Sequence, residues 1–517
     1  MIDLHNSLNF KAHLPWASKR LERHILTLAL IASLGLLLPN HATAQTFTTT
    51  HSFGFDHTNG MNPRGDLIIS GNSLYGVTAA GGSFSNGVIF KVQPDGTGYT
   101  NLHSFSASHY NSLGDATNSD GFNPGGSDLE TPEGSLVLSS NIIYGTAYYG
   151  GVFGQGTVFR VNTDGTGFTN LHTFAIGRRD GSGLYTNSDG VHPNNNLILS
   201  ENTLYGTAYL GSRSGLGAVF RISTDGTGFT NLHDFARGGY NIGLDASNSE
   251  GALPIGRLAL AGNVLYGTSW SGGSSGEGSV FRLNTDGNSF TNLHSFGAIF
   301  YPNYTNSDGA SPYGGVVLSG NIIYGTTLEG GINFIPGGDS LGTIFAINTD
   351  GTGFTNLFNL AELGGAYTYG GLSVAGNTLY GMASYGGSGG GGTVFAFNAD
   401  GTGFVDLYDF PAEVFPRAGV ILSGNILYGS LTSYSNFGDE RLFSLSLPQP
   451  QLTIVRSGTN VILAWPTNIL TFTLQATTNL AATNLWSNVS PASVVVNGLN
   501  TVTNPISSAS RFYRLSQ

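Results

Sequence analysis

Five histidines, His51, His103, His172, His233 and His294, occupy one position of a recurring aromatic-Thr-x-x-His segment. Imidazole is a common metal ligand and titrates near neutral pH, so a ring of histidines suggests a metal centre. Two facts oppose that reading. The sixth and seventh equivalents are Phe358 and Tyr408, so what the position requires is a flat ring. Equivalent residues on the outer strands of a repeat array also lie well beyond the ~2 Å bonds that one ion needs. These histidines are expected to pack and hydrogen-bond.

An Asn-Ser-Asp/Glu-Gly string recurs at 118–121, 187–190, 248–251 and 306–309, each with a proline three residues on. Oxygen-rich loops hold calcium, which makes Asp120, Asp189 and Asp308 weak calcium candidates. The same residue types build turns, and the spacing matches neither an EF-hand loop nor the nonapeptide calcium repeat. The structural turn is the preferred expectation. No other cofactor is indicated.

The third group is aromatic. Tyr148, Tyr149, Phe153, Tyr185, Trp270, Tyr301 and Tyr304 lie in loops that also carry Asp115, Asp180 and Asp245. Aromatic rings stack on sugar faces while carboxylates bond hydroxyls, so these seven are the candidate ligand-binding residues, with polysaccharide as the leading ligand. Protein contacts or simple loop packing would use the same composition. For catalysis, no carboxylate pair stands out by spacing. No nucleophile elbow and no His-Glu-x-x-His helix is present, so no catalytic residue is named.

These side chains ride on a tandem repeat. A Leu/Ile-Tyr-Gly core occurs seven times, at Tyr75, Tyr144, Tyr205, Tyr266, Tyr324, Tyr380 and Tyr428. Each is followed by a Gly-x-Val/Ile-Phe strand, degenerate in the last copy at Phe443. In the third copy, 197–200, 203–209, 218–223 and 229–235 read as four antiparallel strands. Glu201-Asn202 forms the first turn. Asp225-Gly226 is expected as a two-residue hairpin turn with positive φ at both central residues. Four such strands make a propeller blade. The outer strand is missing from the seventh copy and stands alone at the other end, as Phe47–Phe53. That permutation predicts a closed ring: an all-β, seven-bladed propeller over 45–447 whose N-terminal strand completes the last blade. An open array would leave that strand unpaired and an edge exposed. The tight turns share one face. The other carries the glycine-rich loops and long connections, where binding usually sits.

Residues 448–517 lose the repeat. Val461, Leu463 and Trp465 alternate, as do Phe472 and Leu474, which suggests a small β-sandwich similar to the fibronectin-like tails of exported proteins. At the other end, Lys19, Arg20 and Arg23 precede an apolar run from Ile25 to Leu38 and a small-x-small Ala42-Thr43-Ala44, the pattern of a signal peptide over 1–44. The run is short for a bilayer span, and no second stretch of spanning length follows. The chain has no cysteine and a formal net charge of -12, with no basic patch of nucleic-acid-binding size.

The Leu-Tyr-Gly-Thr, Gly-Gly, Gly-Thr-Val-Phe, Asp-Gly-Thr-Gly-Phe and Asp-Gly-x-x-Pro string resembles the GloVer tandem repeat of exported bacterial choice-of-anchor proteins. Clear instances are 204–207, 150–151, 156–159, 164–168 and 308–312. The resemblance implies export and placement at the surface or outside the cell, and it supplies no catalytic residue. The combined expectation is a non-catalytic propeller that binds polysaccharide or a surface protein through its long-loop face. A polysaccharide lyase or glycoside hydrolase on the same scaffold is the alternative, and a structural cell-surface protein the next.

Overall fold

The computed structural model describes residues 45–517 apart from 55–57, 123–133, 135, 182, 238–246, 301–303, 334–339, 362–363, 434–439, 449–451, 467–471, 480–485, 497–498, 507–509 and 517. The leader expected over 1–44 lies outside them. The described chain is all-β, without a helix, and divides into two compact units, 45–447 and 448–517.

Among the described residues the larger unit holds seven antiparallel sheets of four or five strands, one per repeat. The third shows the pattern: Val191–Ser200, Thr203–Leu210, Ala218–Ser223 and Thr230–Asp234, in that order. In the seventh, Arg441–Ser446 pairs with the N-terminal strand Phe47–Ser52, Phe47 opposite Leu445 and Ser52 opposite Arg441, as the permuted repeat predicts.

Burial explains why the strands read as they do. Ala218, Val219 and Phe220 are all buried on consecutive positions. A strand covered on both faces needs an apolar run rather than alternation. The covers are the neighbouring sheets. Tyr205, Val219 and Phe235 of the third sheet pack with Leu258, Leu265 and Phe281 of the fourth. Equivalent clusters join the first to the second, second to third, fourth to fifth and fifth to sixth. Phe410 meets Phe443 edge-on at 5.5 Å between the sixth and seventh. Tyr428, Leu442 and Phe53 of the seventh then pack on Leu67, Leu74 and Phe90 of the first. The glycine of the Tyr-Gly core makes this density possible. A Cβ at Gly206 would sit 2.6 Å from Phe220 Cζ and 2.8 Å from Leu197 Cδ2.

The turns differ in one respect from expectation. At Asp225-Gly226 only the glycine has positive φ, at +89°. Asp225 accepts hydrogen bonds from the Thr227 amide (2.9 Å) and hydroxyl (2.7 Å), and Ser223 N donates to Thr227 O at 2.9 Å. The aspartate thus stays right-handed to cap the turn, and the loop is wider, with one left-handed glycine.

In the smaller unit Thr453–Ser457, Asn460–Pro466, Leu499–Pro505 and Val494–Val496 form one sheet, and Ser487–Asn488, Thr473–Thr477 and Phe512–Ser516 another. Leu463, Trp465 and Val502 of the first share a core with Leu474 of the second.

Candidate functional site

The outer strand of each sheet carries the histidine column. In the third sheet His233 pairs opposite Val219 and Asn231 opposite Phe220, so Leu232 is the extra residue of a bulge. His103, His172, His233 and His294 stack on Phe168, Phe229, Phe290 and Phe354 of the next repeat at 3.7, 3.7, 3.8 and 3.7 Å. The other positions complete the series: His51 on Tyr99 at 4.0 Å, Phe358 on Phe404 at 4.1 Å and Tyr408 on Phe47 at 4.3 Å. A flat ring is therefore what the position needs; the buried His51 Nε2 has no hydrogen-bond partner among the described residues, whereas a carboxylate lies near each of the other four imidazoles.

That carboxylate comes from the Asn-Ser-Asp/Glu-Gly string. His103 Nε2 lies 2.9 Å from Asp120 Oδ2, His172 2.9 Å from Asp189, His233 3.2 Å from Glu250 and His294 3.1 Å from Asp308. The same carboxylates accept the backbone amides of Ser106, Ala175, Ala236 and Gly297. Asn118 bridges further, accepting from Gly121 N at 2.8 Å and Gly151 N at 3.0 Å while donating to Ser106 O at 3.0 Å. Desolvation pushes the Asp120 pKa up, but hydrogen bonds from His103 and Ser106 outweigh it and hold it below the ordinary value. The three calcium candidates are thus each bonded to a histidine and to the backbone. Among the described residues, no group of three or more His, Asp or Glu is gathered to hold a metal ion.

The aromatic candidates separate into distinct places. Tyr148 is buried, stacked on His192 at 4.5 Å, with Tyr149 edge-on to the same imidazole at 5.0 Å. Phe153 is 42% exposed at a loop tip. Tyr185 lies under the Arg179 guanidinium at 4.6 Å. Tyr301 is outside the described residues. Trp270 and Tyr304 come together in a cleft of about 420 Å³.

Sequence reading missed most of that cleft. Its other aromatic walls are Tyr313, Tyr367 and Tyr369, with Ile299, Leu328, Glu329 and Ser340. Tyr313 and Tyr369 meet edge-on at 5.3 Å, and Arg417 lies over Tyr369 at 4.9 Å. Tyr313, Tyr369 and Arg417 are equivalent positions of three successive repeats, at the entry to the innermost strand. Reading the repeats as columns would have exposed this run of large side chains; reading each loop alone did not. Tyr367 belongs to a second column, with Asn62, His192, Leu253 and Ser311, all at φ between +54° and +58° without being glycine. Such left-handed residues carry strain that the surrounding structure holds in place. Each amide in the last four is directed into the preceding repeat, His192 N to Gln155 O at 2.9 Å, for example.

Beneath the cleft the innermost segments converge. A Cβ at Gly370 would lie 2.3 Å from Ala418, and one at Gly314 2.4 Å from Gly370 O. Arg257 of the fourth sheet reaches Asp66 of the first at 3.7 Å, and Asp66 accepts Gly419 N of the seventh at 2.6 Å. Charged groups here tie together sheets far apart in sequence.

The family described as the Gloeobacter/Verrucomicrobia repeat matches residues 110–331 and again 297–484. None of the curated proteins matches the chain. Among solved structures, an oligogalacturonate lyase in complex with manganese is 9% identical, with 78% of this chain and 97% of that one covered, at a TM-score of 0.42. A puromycin-hydrolysing peptidase of Mycobacterium tuberculosis is 9% identical over 81% and 61% at 0.42. A putative TolB of Agrobacterium tumefaciens is 12% identical over 58% and 80% at 0.30. At these scores the likenesses carry no argument about site or substrate.

Proposed function

The chain belongs to the Gloeobacter/Verrucomicrobia repeat family, whose two matches together run from residue 110 to 484, and from that premise we propose an exported, non-catalytic binding protein that recognises polysaccharide. In this reading residues 1–44 are a signal peptide. Residues 45–447 form a seven-bladed propeller closed by Phe47–Ser52. Residues 448–517 are a fibronectin-like sandwich that serves attachment or sorting. Seven sheets packed each on the next, and the last on the first, support the ring.

The observation that carries the function is the cleft that joins Trp270 and Tyr304 to Tyr313, Tyr367 and Tyr369. Aromatic faces at that density suit stacking on sugar rings, and about 420 Å³ suits one or two sugar units. Glycoside hydrolysis of the usual kind needs two carboxyl groups flanking the bond, and among the described residues the cleft lining supplies one, Glu329. Binding is therefore the better reading than turnover. A surface protein remains the second class of partner.

The test is binding of residues 45–517 to a glycan array and to insoluble polysaccharides, with and without calcium, alongside product analysis. Saturable binding that Trp270→Ala abolishes supports the proposal. New reducing or unsaturated sugar ends would replace it with an enzyme. Calcium-dependent binding would make Asp120, Asp189 and Asp308 ligands as well as turn residues. Absence of binding to every glycan would shift the reading to a protein partner.

A further inference from the structure

Two rows of side chains run through the larger unit where each repeat enters its innermost strand. The first row includes Arg64, Glu133, Asn194, Tyr369 and Arg417, and the second, two residues on, includes Asp66 and Arg257. Glu133 lies outside the described residues, but its charge is known from the sequence. With it counted, the rows hold three arginines and two carboxylates, in a chain whose formal net charge is -12. Both rows are directed at the preceding sheet: Arg417 lies over Tyr369 at 4.9 Å, and Asp66 accepts Gly419 N at 2.6 Å.

Asp66 is engaged by Arg257 at 3.7 Å. Arg417 is 7% exposed, and among the described residues no carboxylate or other hydrogen-bond acceptor meets it. Its partner is the face of Tyr369, which favours the charge and takes none of the five guanidinium N–H groups. A cation so far out of water is costly unless an anion meets it. Asn194 is 2% exposed, and its Nδ2 has no partner among the described residues. In the closed ring proposed above, Asp66 of the first sheet and Arg257 of the fourth stand three steps apart and still meet at 3.7 Å. Arg417 of the seventh sheet and Asn194 of the third are separated by the same three steps, in the adjoining row. An anion between them would occupy both sets of donors. Tyr369 also lines the aromatic cleft, so this position adjoins it.

We infer that the axis beside the cleft takes a carboxylate, with Arg417 and Asn194 as its donors, and that the polysaccharide is an acidic, uronate-containing chain. This rests on the polysaccharide reading and narrows it.

Calorimetry on residues 45–517 compares a galacturonate tetramer with its neutral methyl ester. Salt of about 0.15 M screens repulsion from the acidic chain beyond roughly 8 Å. The free acid is expected to bind about tenfold tighter than the ester, as one charge-assisted hydrogen-bonded contact supplies. Arg417→Met is expected to remove that preference and leave ester affinity unchanged. Without ligand, Arg417→Met is expected to melt no lower than the unaltered protein, because it removes a buried charge that lacks an anion. Asn194→Asp, nearly identical in shape, supplies the carboxylate from the chain itself and is expected to abolish the preference too. Equal affinities for acid and ester, or a preference that survives either substitution, would overturn the uronate inference and leave polysaccharide binding standing. Unfolding or a much lower melting temperature of the Arg417→Met variant would make the arginine structural and also overturn it. Failure of both tetramers, with insoluble polysaccharides also unbound, would remove both readings together.

Discussion

His192 shows how a single residue is set by its place in the repeat. It stands at φ +54° and stacks on Tyr148, and its Nδ1 has no hydrogen-bond partner among the described residues. Desolvation lowers its pKa from 6.5 to about 4. Below pH 6.5 the unfolded chain takes up a proton that the folded chain refuses, so stability falls as pH drops from 6.5 toward about 4. The equivalent residue in the first repeat is Asn62, which tolerates the left-handed region better and does not titrate. His192→Asn is therefore expected to flatten the decline in melting temperature between pH 6.5 and 4.5, as thermal unfolding at a series of pH values would show. An undiminished decline would refute the assignment. Asp120 acts in a lower window. Its folded pKa lies below the unfolded 3.8, so its contribution is present above that value and is lost as pH falls below it.

At the scale of the element, the first turn of every repeat places its leading residue at positive φ. Glycine fills it in five copies, but Ser140 and Glu201 hold φ of 54° and 53°. A side chain there costs about 1 kcal/mol, so Ser140→Gly and Glu201→Gly are each expected to stabilise by that order in denaturant titration. Glycine at the Tyr-Gly core has the opposite role. Its φ is ordinary, and what excludes a side chain is the Phe220 ring against Gly206. Gly206→Ala is expected to destabilise by about 1–3 kcal/mol through overpacking, and a shift under about 0.5 kcal/mol would show that the sheets can part to admit a methyl group. The two glycine classes look alike in sequence, yet one answers to backbone conformation and the other to a neighbouring ring.

For the larger unit as a whole, the proposed closure would depend on six residues. Phe47–Ser52 covers the edge of Arg441–Ser446, and Phe47 stacks on Tyr408 and on Phe443. Removing residues 45–53 would bare that edge and strip Phe53 from the cluster with Leu67, Leu74 and Phe90. An unpaired edge invites association between chains. The expected result is a broadened, earlier unfolding transition with higher-order species in light scattering. A monomeric truncated chain with unchanged melting would count against the closed arrangement.

Repeat count, strand order and the permuted N-terminal strand were legible in the sequence, because each sheet is built from local hairpins whose turns and apolar runs recur in order. The histidine column was legible as packing, because Phe358 and Tyr408 stand in for imidazole at two of its positions. Tertiary structure alone decided that Trp270 and Tyr304 share a cleft with Tyr313, Tyr367 and Tyr369, while Tyr148 is buried against His192. It alone decided that Asp66 meets Arg257. Strand order is written in contacts between residues close along the chain. A site shared by side chains from three successive repeats depends on how sheets are rotated against one another, and that rotation is set by inter-sheet packing, which leaves no periodic trace in any one loop.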